Sequence, residues 1–145
     1  MAALRFPRVD RLGAADWLLL TEALFALGWA SMAIRILPFR RVAASASRPR
    51  ARARRRGVPA AKIRWAVEAW ARRVPWKAVC FQRGLAAHVM LRRRGLNSIL
   101  HYGVARKEEE GLAAHVWISL DGTILLGGRE APDFICLATF PSAAS

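Results

Sequence analysis

The spacing of apolar positions changes character at Gly95. Before it, apolar residues recur every three or four positions; after it, they alternate with polar ones. The apolar run from Trp17 to Ile34 predicts a helix over 15–37. Asp16 serves as cap or first-turn residue, and Pro38 is the stop. Ile63, Ala66, Val67 and Trp70 predict a second helix over 59–73, with Pro59 near its first turn and Pro75 beyond its end. A third helix fits 80–94, closed by Gly95, with Leu85, Val89 and Leu96 as core candidates. Beyond Gly95, residues 99–106 read as a strand and 107–111 as a charged turn. A second strand fits 114–120, Asp121-Gly122 is a hairpin turn, a third strand fits 123–126, and a short one fits 134–140. Helices followed by hairpin-linked strands predict an α+β fold, with N-terminal helices and then an antiparallel sheet.

Residues 43–58 break this pattern. They are Ala, Ser, Arg, Pro and Gly, ending in Arg54-Arg55-Arg56-Gly57, and read as an exposed basic linker. The expected organisation is an N-terminal apolar helix region over 1–42, the linker over 43–58, and a domain over 59–145. Residues 1–13 read as polar and mobile. The chain has 145 residues, enough for one domain with a real core, and at 54% hydrophobic it is not a disordered chain.

A net charge of +14 predicts attraction to an acidic peptide, an anionic membrane or a nucleic acid. The sequence shows no nucleic-acid-binding motif and no interleaved aromatic platform, which argues against the last. The Arg48–Arg56 run reads as a solvated linker, or as a docking surface for an acidic partner. The apolar run 17–34 contains Glu22 and barely reaches the roughly 20 residues that a bilayer requires. It is read first as a buried or amphipathic helix. The alternative is membrane-surface contact through 17–41, where Arg35, Arg40 and Arg41 suit an anionic leaflet. Two cysteines and three scattered histidines have no zinc-ligand spacing, so no metal or cofactor is expected. Cysteine usage this sparse fits a cytoplasmic chain with reduced thiols.

Cys80 begins the third helix and His115 sits mid-strand. A helix N-terminus favours an anion, and a nearby imidazole can accept a thiol proton and return it to a leaving amine. The backbone N–H groups at Cys80 and Phe81 are candidate oxyanion donors, with the side chain of Gln82 as a further one. Strand alternation groups His115, Trp117 and Ser119 on one face; the dyad forms if that face meets the start of the Cys80 helix. His88 reads as a packing residue, His101 as a substitute base, Cys136 as a buried thiol. Taken alone, such a cysteine and histidine are more often core residues than catalysts.

Further residues add a family likeness. Cys80-Phe81-Gln82-Arg83-Gly84-Leu85-Ala86 is followed by Leu91-Arg92-Arg93-Arg94-Gly95, then by Tyr102-Gly103-Val104-Ala105-Arg106 and Ala114-His115-Val116-Trp117-Ile118. With Arg35-Ile36-Leu37-Pro38-Phe39-Arg40-Arg41, these segments resemble the leader peptidases (B proteins) of lasso-peptide biosynthesis, a family of transglutaminase-like cysteine peptidases. The resemblance implies a papain/transglutaminase-like core and a Cys-His-Asp triad on Cys80 and His115. The family places its Asp about a dozen residues beyond the histidine, where this chain has Leu126-Gly127-Gly128-Arg129-Glu130. Asp121, Glu130 or a backbone carbonyl remain as the third member. The implied partners are a precursor leader peptide, a leader-binding recognition protein and an ATP-dependent lasso cyclase. Rival readings are a transglutaminase-like acyltransferase and a non-enzymatic basic scaffold for peptide or membrane.

Overall fold

The computed structural model describes residues 12–47, 59–76 and 78–141. Four helices precede a four-stranded antiparallel sheet, the expected α+β order. Helix α1 (Ala14–Ile36) starts where Gly13 N–H donates to Asp16 Oδ2 at 3.2 Å and is capped by Leu37, just before Pro38. Helix α3 (Ala60–Ala71) follows Pro59, and helix α4 is Cys80–Arg93. Gly95, at φ 75°, closes α4: its N–H reaches Arg92 O, and Leu96 N–H reaches Leu91 O.

Helix α2 (Phe39–Ala46) takes in residues 43–46, which the linker reading had left out of helical structure. Its Ala and Arg residues suit a helix, and Val42 and Ala46, one turn apart, are both buried. His88 Nε2 on α4 donates to Ala46 O at 2.7 Å, so tertiary contact fixes this helix. The Arg48–Arg56 run and residues 1–11 lie outside the described residues.

Strands β1 (Ser98–Lys107), β2 (Gly111–Leu120), β3 (Thr123–Leu126) and β4 (Ile135–Phe140) order as β3-β2-β1-β4. Helix α4 crosses the sheet so closely that a Cβ on Gly84 would stand 2.7 Å from Val116 Cγ1. Val116, Ile118 and Leu100 therefore meet Leu85 and its neighbours in one core, which also contains Leu27 of α1 and Ile63 and Val67 of α3. The N-terminal helix thus packs into the same core as the segment after the linker. Glu22 of α1 accepts from Arg94 at the end of α4, tying the two helices at the rim.

Candidate active site

Cys80 is the first residue of α4, part-exposed and unpaired in a disulfide. The first N–H groups of any α-helix lack intrahelical partners, so those of Cys80 and Phe81 are placed to bind an anion. Gln82 is buried rather than solvated. Its Oε1 accepts from Val79 N–H at 2.8 Å, which makes it the cap that fixes where α4 begins. The cap engages Oε1; the oxyanion role considered for this side chain would use its Nε2 group instead.

Val116 and Ile118 face α4, so alternation turns His115, Trp117 and Ser119 to the other side of the sheet. The expected meeting of the His115 face with the α4 start does not occur face to face. His115 reaches the site at the flank of β2 instead. Strand β3 pairs with β2 only from Leu126 opposite Ile118, and Gly127 then turns the chain away at φ 77°. Where the strands part, a groove of about 890 Å³ opens. Cys80 and His115 both line it, with Trp76 and Gly127 among their neighbours. Among the described residues no hydrogen bond joins Cys80 to His115. Catalytic hydrogen bonds commonly tighten only when substrate is bound.

His115 is held firmly. Its ring packs between Trp117 at 6.0 Å and Phe134 at 5.1 Å, and it is 5% exposed. Nε2 lies 2.8 Å from Gly127 O and 3.5 Å from Glu130 Oε2. A carbonyl oxygen can only accept, so Nε2 carries the proton and Nδ1 of the neutral ring is the basic nitrogen. Of these two partners of Nε2, the main-chain oxygen of Gly127 is the nearer, and Glu130 is a more distant and 61% exposed carboxylate. Gly127 fits for steric reasons. A Cβ there would meet Val116 O at 2.8 Å, and its positive φ suits glycine. The sequence marks this point only as the strand-breaking pair Gly127-Gly128.

Asp121 is excluded from the site. It occupies the β2–β3 turn at φ 49° and is exposed. Six residues of strand separate it from His115, about 20 Å at ~3.3 Å per residue. His88 is fully buried, as a packing residue should be, with Nδ1 accepting from Ser98 Oγ at 3.0 Å. Burial drives its pKa down to about 4, against the opposing hydrogen bond to Ala46 and with help from the Arg92 charge. His101 stacks on Trp117 at 5.4 Å and bonds Ser119 Oγ at 2.7 Å, outside the Cys80 groove. Burial also lowers its pKa. Cys136 is exposed rather than buried, because β4 is an edge strand whose Ile135 and Leu137 also face solvent. Its Sγ lies 4.0 Å from His101 Nδ1. No cluster of three or more His, Cys, Asp or Glu side chains suited to a metal occurs among the described residues.

A family model described as the transglutaminase-like superfamily matches residues 20–137, a span that includes both Cys80 and His115. No curated protein and no solved structure matches the chain.

Proposed function

The chain belongs to the transglutaminase-like superfamily, and on that premise we propose that it is a cysteine peptidase that removes the leader from a ribosomally made lasso-peptide precursor. The observation that carries the chemistry is the groove shared by a helix-start thiol and an imidazole whose Nε2 is tied to Gly127 O. That tie leaves Nδ1 as the base. It takes the Cys80 proton as Sγ attacks the scissile carbonyl carbon, and it delivers that proton to the departing amine. Water, deprotonated by the same nitrogen, then hydrolyses the thioester and restores the thiol. The N–H groups of Cys80 and Phe81, at the positive end of α4, stabilise the tetrahedral oxyanion. Glu130 adds a screened attraction to the imidazolium that forms.

The leader-processing assignment rests on the segment likeness around Cys80 and His115. Under it, a separate leader-binding protein presents the precursor and an ATP-dependent cyclase closes the released core peptide, all in the cytoplasm where the precursor is made. The test is to incubate the protein with the leader-binding protein and precursor encoded beside it and follow the peptide by mass spectrometry. The expected products are free leader acid and core amine. Cys80→Ala and His115→Ala should each abolish them, and Cys136→Ala should not. Cleavage surviving in Cys80→Ala would overturn the mechanism. An amide formed with an added amine, in place of the free acid, would move the chain to the acyltransferases.

A further inference from the structure

The outward face of α1 carries an apolar stripe that the peptidase chemistry does not use. Leu18, Phe25, Met32 and Ile36 are 72%, 74%, 62% and 69% exposed, and their spacing of seven, seven and four places them along one line of the helix. Trp29, one turn on from Phe25 and also exposed, belongs to it. From Leu18 to Ile36 the stripe runs about 27 Å at ~1.5 Å per residue. A continuous apolar surface of this length on a folded chain marks an interaction site.

Two features determine what covers it. The first is that α1 cannot leave the fold to span a bilayer without exposing Ala23, Leu27 and Ala30, which are fully buried against the other helices. Its length and apolarity would otherwise suffice for a span, yet 44% of its most apolar window is buried. The second is charge. Arg35, Arg40 and Arg41 are exposed at the C-terminal end of the stripe. Glu22, one turn on from Leu18 and so within the stripe, is neutralised by Arg94 and by Arg93 at 3.6 Å. The face is therefore mostly apolar, with its acidic residue paired, and cationic at its C-terminal end. Between α1 and α4 a groove of about 340 Å³, lined by Phe25, Ala26, Trp29, Val89 and Met90 together with the paired Glu22 and Arg93, continues the surface inward.

We propose that α1 docks the folded protein in the plane of a membrane rich in acidic phospholipids. Its stripe enters the acyl boundary and Arg35, Arg40 and Arg41 sit among the headgroup phosphates. The net charge of +14 draws the protein to such a surface over a longer range. This inference is independent of the peptidase reading and stands or falls without it.

The test is co-sedimentation of the full chain with vesicles at physiological ionic strength. One set is phosphatidylcholine alone, the other contains about one-third phosphatidylglycerol. The protein should sediment with the phosphatidylglycerol vesicles and stay in the supernatant with phosphatidylcholine. Binding should fall about tenfold or more in Phe25→Glu/Met32→Glu and in Arg40→Glu/Arg41→Glu, with helical content unchanged by circular dichroism. Should the first pair not fold, Leu18→Glu/Ile36→Glu at the ends of the stripe makes the same comparison. Failure to bind phosphatidylglycerol vesicles overturns the proposal, as does undiminished binding by the stripe variants. A soluble dimer that the stripe variants dissociate, without vesicle binding, would make this face a contact between copies and equally overturn it.

Discussion

Lowering the pH should unlatch α2 through His88. The ring bridges three elements: Nε2–H donates to Ala46 at the end of α2, the ring itself belongs to α4, and Nδ1 accepts from Ser98 on β1. Protonation destroys the acceptor at Nδ1 and places a charge in a site with no exposure. The folded state thus holds the ring neutral down to about pH 4, whereas an unfolded histidine takes up its proton near 6.5. Because the unfolded chain binds more protons in that window, stability rises with pH there. The contribution is complete above about pH 6.5 and lost progressively as pH falls toward 4. Linkage over those two values removes about 2 kcal/mol between pH 8 and pH 5, and about 3 kcal/mol once the folded-state value has been passed. The assay is urea unfolding of the wild type and of His88→Gln at both pH values. Gln keeps a donor for Ala46 but does not titrate. The wild type should lose about 2 kcal/mol more than the variant on acidification. Contributions from His101, common to both proteins, cancel. Equal losses in the two proteins would refute the assignment of a neutral, buried His88.

Further outcomes follow from the site and its supports. Gly127→Ala should cost about 1–3 kcal/mol of stability and cut peptide turnover at least about tenfold, read by denaturant melts and by mass spectrometry, because its Cβ would meet Val116 O at 2.8 Å and displace the acceptor of His115. Glu130→Gln should lower turnover by less than about tenfold, since its carboxylate is 3.5 Å away and largely exposed; Asp121→Asn should leave turnover unchanged. Gly84→Ala should lower the unfolding free energy by about 1–2 kcal/mol despite the better helix propensity of alanine, because the added methyl stands 2.7 Å from Val116 Cγ1. Gln82→Leu should reduce turnover while Gln82→Glu retains most of it, because only the latter keeps an acceptor for Val79 N–H at the start of the Cys80 helix.

Periodicity was a sound guide wherever burial repeats along the chain. The helices around Leu27, Val67 and Leu85 and the strands around Leu100 and Val116 all carry a buried face at the spacing their geometry demands. It was too short to read at Phe39–Ala46, an Ala- and Arg-containing segment whose helix is held by the burial of Val42 and Ala46 and by the His88 bond. It failed at Cys136, since a small apolar residue in a short strand looks the same at a sheet edge as in its middle. Cys80 and His115 stand out in the sequence because thiol and imidazole are chemically distinctive, and the fold brings both to one groove. Gly127 was not legible as a functional residue: what it contributes is a main-chain oxygen, which every residue has, and only the departure of β3 from β2 aims it at His115. The role of Gln82 was hidden for a related reason, since only the start of α4 decides whether its side chain turns to solvent or back to Val79.

On the peptidase reading, a base steered by the peptide backbone has a consequence for how such enzymes are recognised. Alanine scanning deletes side chains, so on the peptidase reading it would find no third convergent side chain beside Cys80 and His115, and Gly127→Ala would register only by displacing the main chain. A search template demanding three convergent side chains would pass over the groove altogether. Substitution cannot erase the Gly127 carbonyl, only move it, so the orientation of His115 is protected against point mutation at every position that leaves the backbone path from Leu126 to Glu130 intact.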